Sequence, residues 1–369
     1  MRHTMLALTA LFAALTACNS APDTTIQSWQ TVWDLDYLPS QGINGALLSV
    51  WGAADNDVWM VGGAQEVTPT TPVTILNWNG TSWARLNLKV LGTLWWITGD
   101  GKGIFWMAGK DGLVIRWSRP DNAYSRQNIP SKLQLWGILA FSDTDVWAVG
   151  GEPAQCSGTQ VCGAIWHYDG ATWTSPTGLP AGWNTTPWFK VFARGPNDVF
   201  ICGMSGHILH WDGSAWKDDA VVSSSLLTGS CNGSLCVAVG GAGGTGVIAE
   251  HDGTKWRQVM NGTPIDMLNG VAVRPDGSAI AVGYPYQTAM GIWRRTVDGV
   301  WSADPEAPQT SSVPTPDHDL DTRQAYHAVW IDSVGDAWAV GGDLAQPTFS
   351  RSMLAHYGVP IPAPVTASQ

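Results

Sequence analysis

Val50-Trp51-Gly52, then Asp57-Val58-Trp59-Met60-Val61-Gly62-Gly63, then Leu76-Asn77-Trp78-Asn79-Gly80-Thr81-Ser82-Trp83 form the phrase that decides the fold. Short apolar strands alternate with tight turns, and the phrase recurs seven times. Such a unit cannot bury its apolar face alone and must stack on copies of itself. Aligned on one glycine, the copies reach it at Gly62, Gly109, Gly150, Gly203, Gly240, Gly283 and Gly341.

Each copy divides into four strands. Strand A resembles Leu135-Trp136-Gly137, B resembles Val146-Trp147-Ala148-Val149, C resembles Ile165-Trp166-His167-Tyr168, and D begins near Trp173. Residues 55–57, 143–145, 196–198 and 275–277, rich in Asp, Asn, Pro and Gly, join A to B. Asn79-Gly80, Asp169-Gly170, Asp212-Gly213, Asp252-Gly253 and Asp298-Gly299 join C to D. These residues favour hairpins through side-chain to backbone bonds and tolerance of positive φ. A tryptophan follows each C–D turn and is predicted to wedge between neighbouring units.

Seven four-stranded units of about 47 residues predict an all-β, seven-bladed β-propeller. The seventh copy stops after Leu354-Ala355-His356-Tyr357-Gly358, and Trp29-Gln30-Thr31-Val32 fits strand D. The N-terminal strand is therefore expected to complete the last blade, which removes two open sheet edges. Trp51, Trp59, Trp136, Trp147, Trp330 and Trp338, in strands A and B, read as core.

The Asp-Gly-x-x-Trp turns resemble the Asp-box of sialidase-like and assembly-factor propellers. The Gly-Gly endings at 62–63, 150–151, 240–241 and 341–342 resemble kelch repeats. Both resemblances imply a propeller and no particular activity, because both groups contain enzymes, lectins and scaffolds. The Ser or Thr that precedes the Asp in an Asp-box is irregular here, and the second copy loses the turn at Ser118-Arg119-Pro120.

The chain opens with Met-Arg-His-Thr and an apolar run from Met5 to Ala17, too short to span a bilayer, which reads as a secretion signal. Its ending, Leu15-Thr16-Ala17-Cys18, resembles the lipobox of bacterial lipoproteins. That resemblance implies lipid on Cys18, and Asn19 after it favours the outer membrane. The domain reading is then signal peptide 1–17, lipidated tether 18–27, propeller 28–358 and Pro-rich tail 359–369.

A net charge of −11 with only 19 scattered basic residues argues against nucleic acid and against docking on anionic lipid. The pairs Cys156/Cys162 and Cys231/Cys236 predict two local disulfides in an oxidising compartment. Cys202, in the apolar strand Val199-Phe200-Ile201-Cys202, is expected to be a buried, inert thiol.

Nearly all insertions fall in B–C and D–A connections, at 63–74, 152–163, 174–187, 284–289, 301–325 and 343–351. Antiparallel strand order puts these on one face, and variable loops on a rigid scaffold are where recognition is usually placed. Ligand-binding candidates there are Trp183, Tyr284, Tyr286 and Phe349, with Arg351, Asp343 and Glu152 as polar companions.

Asp317, Asp319 and Asp321 resemble the start of a Ca²⁺ loop, but its Gly and distant Glu are missing, so a solvated acidic loop without cofactor is the expectation. His207 and His210 are predicted to point to opposite strand faces, against joint metal ligation. No G-x-S-x-G, H-E-x-x-H or phosphate loop occurs, and Arg323 and Arg351 make no sialidase-type arginine cluster.

The sequence thus points to a lipid-anchored, monomeric envelope protein that binds a protein or glycan through its loop-rich face, a role that requires no chemistry of it. A glycan-active hydrolase or lyase, and an assembly factor for envelope complexes, are the alternatives.

Overall fold

A computed structural model describes residues 27–34, 37–40, 43–64, 71–220, 222–242, 245–259, 265–285, 291–308, 325–344 and 351–362. The candidates Tyr286, Phe349, Cys18, Asp317, Asp319 and Asp321 lie outside the described residues.

The described strands form seven four-stranded antiparallel sheets, as the repeats predict. Blade 1 is typical: Ala46–Ala54, Asp57–Gly63, Thr74–Trp78 and Trp83–Arg85 pair in sequence order. The innermost strands of blades 2 to 7 are Leu94–Gly99, Leu135–Ser142, Trp188–Gly195, Leu226–Asn232, Leu268–Val273 and Ala325–Ile331. Blade 7 takes its outer strand from the N-terminus, where Ser28–Trp33 pairs antiparallel with Ser352–Gly358. Closure is therefore made by main-chain hydrogen bonds between the two ends of the propeller.

The tryptophans of strand D wedge as predicted. Trp83 lies 6.3 Å from Trp338, Trp173 6.0 Å from Trp106, Trp216 5.7 Å from Trp147 and Trp256 5.4 Å from Phe200, each partner belonging to the preceding blade. Trp301 and Trp29 instead donate their indole N–H to buried carboxylates of the preceding blade, Glu250 and Asp304, at 2.8 Å each. In blade 2, which lost its Asp-Gly turn, Arg119 fills that role: its guanidinium sits 5.2 Å from the Trp59 ring and pairs with Asp57 at 2.7 Å.

The repeated glycine has a steric cause. A Cβ at Gly150 would lie 1.8 Å from the carbonyl oxygen of Gln134, and at Gly62, Gly109, Gly240, Gly283 and Gly341 it would meet the equivalent oxygen at 1.9–2.1 Å. That oxygen leads into strand A, where the register slips by one residue in all seven blades: between Leu47 and Ser49, Leu94 and Trp96, Leu135 and Gly137, Trp188 and Lys190, Leu226 and Thr228, Leu268 and Gly270, and Tyr326 and Ala328. Each slip is a β-bulge, two residues opposing one, and a bulge re-aims a side chain. The glycine makes room for the strand to crowd inward.

The cysteine pairs lie at disulfide geometry, with Cα atoms 5.3 Å apart for Cys156–Cys162 and 4.0 Å for Cys231–Cys236. The second joins directly opposed residues of the A–B hairpin in blade 5. Cys202 is fully buried, and burial pushes its thiol up to about 12. His207 and His210 bond different carboxylates, Asp218 and Asp198. No helix among the described residues is long and apolar enough to cross a membrane, and no cluster of three metal-ligating side chains is found among them.

Candidate functional site

The residues that the seven bulges insert are Leu48, Trp95, Trp136, Phe189, Leu227, Asn269 and His327. Six of them line one cavity of about 290 Å³ on the propeller axis; Leu48 is buried beside Trp95 instead. The volume sits at the lower end of the roughly 300–1,000 Å³ typical of small-ligand sites. Thr93, Gln134 and Met267, from D–A connections, and Tyr284 and Leu344, from B–C connections, complete the wall. The cavity therefore belongs to the face that carries the long loops.

Its wall is an aromatic belt. Trp95 and Trp136 stack in parallel, 5.2 Å apart with planes 6° from parallel, Phe189 meets Trp136 at 5.3 Å, and His327 meets Trp95 at 6.0 Å. Polar bonds behind the belt fix it. Trp95 Nε1 donates to Gln134 Oε1 at 3.0 Å, Gln134 Nε2 donates to Glu152 at 3.2 Å, and Trp136 Nε1 donates to the Gly151 carbonyl at 3.1 Å. Asn269 donates to the Tyr326 carbonyl at 3.0 Å, and His327 Nδ1 to the Leu48 carbonyl. Burial pushes the His327 imidazole down to about 3, with Lys190 adding to the shift, so the ring is neutral at ordinary pH.

Below the belt stands Lys190, the residue after the bulge in blade 4, which is 4% exposed and borders both this cavity and a second one of about 240 Å³ further down the axis. Its ammonium donates to the Trp136 carbonyl at 2.7 Å and lies 3.2 Å from the Trp96 ring centroid. Gly137 leaves the space this needs, since a Cβ there would sit 3.1 Å from Lys190 Cα. Burial lowers the Lys190 pKa well below 10.5. In a chain of net charge −11, the described lining carries Lys110 and Lys190 and no carboxylate.

Among the sequence candidates, Tyr284 lines the cavity, packed beside Ala46, Leu48 and Trp95. Glu152 stands behind the wall, holding Gln134. Trp183 opens a single 3₁₀ turn, Trp183–Thr185, and packs on the core between blades 3 and 4, its carbonyl accepting from Trp188 Nε1 at 2.8 Å. Asp343, 1% exposed, accepts from the Arg351 amide at 3.0 Å and pairs with its guanidinium at 3.3 Å, so the two close their own connection. The structure does not bring Trp183, Asp343 or Arg351 into the cavity lining.

The core reading of the strand A and B tryptophans needs correction in part. Trp136 is a half-buried wall residue of the cavity, and Trp51 and Trp330 border the lower cavity, whereas Trp59, Trp147 and Trp338 are core as read. The belt itself was missed, although a signal for it exists. The bulged residue lies fourteen positions before the aligned glycine in six copies and thirteen in the fifth. Its column reads Leu, Trp, Trp, Phe, Leu, Asn, His, while the preceding column, Leu47, Leu94, Leu135, Trp188, Leu226, Leu268 and Tyr326, is uniformly large, apolar and buried. A column that varies in type beside one that is uniformly large and apolar marks the positions aimed at the axis.

No family model matches this chain, and no curated protein matches it. Solved structures do. The WD40 β-propeller domain of Doa1 is similar with a TM-score of 0.57 at 10% identity, over 90% of this chain and 97% of that one. YCF48 bound to D1 peptide is similar with a TM-score of 0.59 at 14% identity, over the same shares of each chain. At such identities the likeness concerns the fold alone. The fold is a β-propeller.

Proposed function

We propose that this protein is a lipid-anchored envelope binding protein that receives an apolar segment of a partner protein in the axial cavity of its loop-bearing face. The observation that carries the reading is the belt of bulged side chains: a scaffold feature repeated seven times aims six side chains, four of them aromatic rings, at one cavity. Protein is favoured over glycan because Gln134, Asn269 and His327 are engaged with the wall, which leaves few of the directional polar groups a sugar requires. Hydrolysis of a glycan uses a pair of carboxylates, and the described lining offers none. A propeller of similar fold, YCF48, has been solved with a peptide, which supports the choice of ligand class. Anchorage rests on the lipobox resemblance at Cys18.

Affinity capture from envelope extracts tests the reading, with the full chain and its Trp136→Ala variant as baits and a glycan array run in parallel. A protein partner retained by the wild type and lost by the variant is the expected result. Saccharide binding that depends on Trp136, with no such partner, refutes it. Metabolic labelling with radioactive palmitate tests the anchor: label that survives Cys18→Ala removes it.

A further inference from the structure

Lys190 holds its side-chain nitrogen on the propeller axis, walled by Trp96, Trp136 and Phe189, and lacks a carboxylate partner among the described residues. Removing a cation from water without a counter-ion is costly, and buried charges are ordinarily paired. We infer that Lys190 is the anchor of an anion site in which the ligand supplies the missing counter-ion, a carboxylate borne on a flat apolar group that stacks on the Trp95–Trp136 belt.

Three observations converge on that chemistry. Lys190 borders the belt cavity from below, so a group stacked on the belt points its far end at the ammonium. One N–H is held by the Trp136 carbonyl and the Trp96 face takes a second direction, which leaves the third donor for a ligand. Lys110 adds a second positive charge to the same lining, in a chain that is acidic overall. Burial disfavours the charged form of Lys190, and an adjacent carboxylate reverses that shift. The inference rests on the cavity being a binding site and deepens that reading by naming what it grips.

The test is calorimetry on the full chain in detergent with 3-phenylpropionate and its amide, and with one peptide ending in Phe as free acid and as C-terminal amide. Wild type is expected to bind the acid at least about tenfold more tightly than the amide, the discrimination typical of a charge-assisted hydrogen bond. The Lys190→Met variant is expected to lose that preference. The peptide pair distinguishes the sources: preference for the free-acid peptide assigns the anchor to a chain terminus, and preference confined to phenylpropionate assigns it to small acids.

Equal binding of acid and amide by wild type, or no binding of either, overturns the inference. So does a Lys190→Met protein that unfolds at markedly lower denaturant, since Lys190 is then a structural strut; an unchanged or higher midpoint is expected. Retention of an envelope partner by Lys190→Met, with acid preference lost, removes the cavity as that partner's docking place and leaves the anion site standing.

Discussion

Replacing Gly150 by alanine tests the link between the repeat and the site. The added Cβ would stand 1.8 Å from the Gln134 oxygen and 2.8 Å from both Gln134 C and Leu135 Cα. All three are backbone atoms, so no rotamer change relieves the clash, and the bulge must retreat by roughly 1 Å in a close-packed interior. Overpacking typically costs about 1–3 kcal/mol, and with backbone on every side about 3 kcal/mol is expected. Gly195, whose Cβ would meet nothing within 4 Å, is the control, and Gly195→Ala is expected to be neutral or to gain up to about 1 kcal/mol. Guanidinium unfolding followed by far-UV circular dichroism reads both, with equal m-values required for the comparison. The retreat would also carry Trp136 off the belt, so affinity for the cavity's ligand falls with stability. A Gly150→Ala protein within about 0.5 kcal/mol of wild type would show that the bulge does not need the glycine, and the account of the cavity would fall with it.

Two further outcomes follow from the closure of blade 7. Trp29→Ala removes a buried indole and its 2.8 Å bond to Asp304, which predicts a loss of about 3–5 kcal/mol and, by hydrogen exchange, early opening of the strand Ser352–Gly358; uniform exchange across blades would contradict this. His356 is 2% exposed, and burial lowers its pKa from 6.5 to about 4, so the fold favours the neutral ring and the unfolded chain binds the extra proton. Stability present above pH 6.5 is then lost as pH falls toward 4, on the order of 3 kcal/mol for this group, while the raised carboxyl of Asp336, 3.8 Å away, offsets part of it. A His356→Phe protein should show a flatter pH dependence in that window, and an unchanged slope rules the histidine out.

The architecture was legible because a propeller repeats its constraints. The glycine recurs in all seven blades, the Asp-Gly or Asn-Gly turn in five and an indole against the neighbouring blade in six, so period and turn chemistry are written many times over. The exception is instructive: where the second copy lost its turn, Arg119 over Trp59 restores the wedge by a contact that no local pattern announces. The site was less legible because a tryptophan in strand A looks alike whether it enters the core or the axis. Trp136 and Trp147 sit in adjacent strands of one blade, and only the one-residue slip between Leu135 and Gly137 sends the first to the cavity. Registers of that kind follow from steric conflict between strands, which composition and period do not carry. Lys190 was passed over for the same reason: an isolated lysine in a strand gives no sign that Gly137 has been kept small beside it.

The same logic separates what the fold fixes from what it leaves open. The glycine imposes the bulge, the bulge imposes the inward aim, and neither imposes the residue, which is why the seven positions hold Leu, Trp, Phe, Asn and His without strain on the blades around them. Substitutions at the six bulged residues that line the cavity should therefore act on ligand choice more than on stability, and substitutions at buried Leu48, or one position earlier, where Leu47, Leu94, Leu135 and Leu226 are fully buried, should do the reverse. A propeller built this way can change its ligand by single substitutions at the axis while keeping its closure, its wedges and its turns.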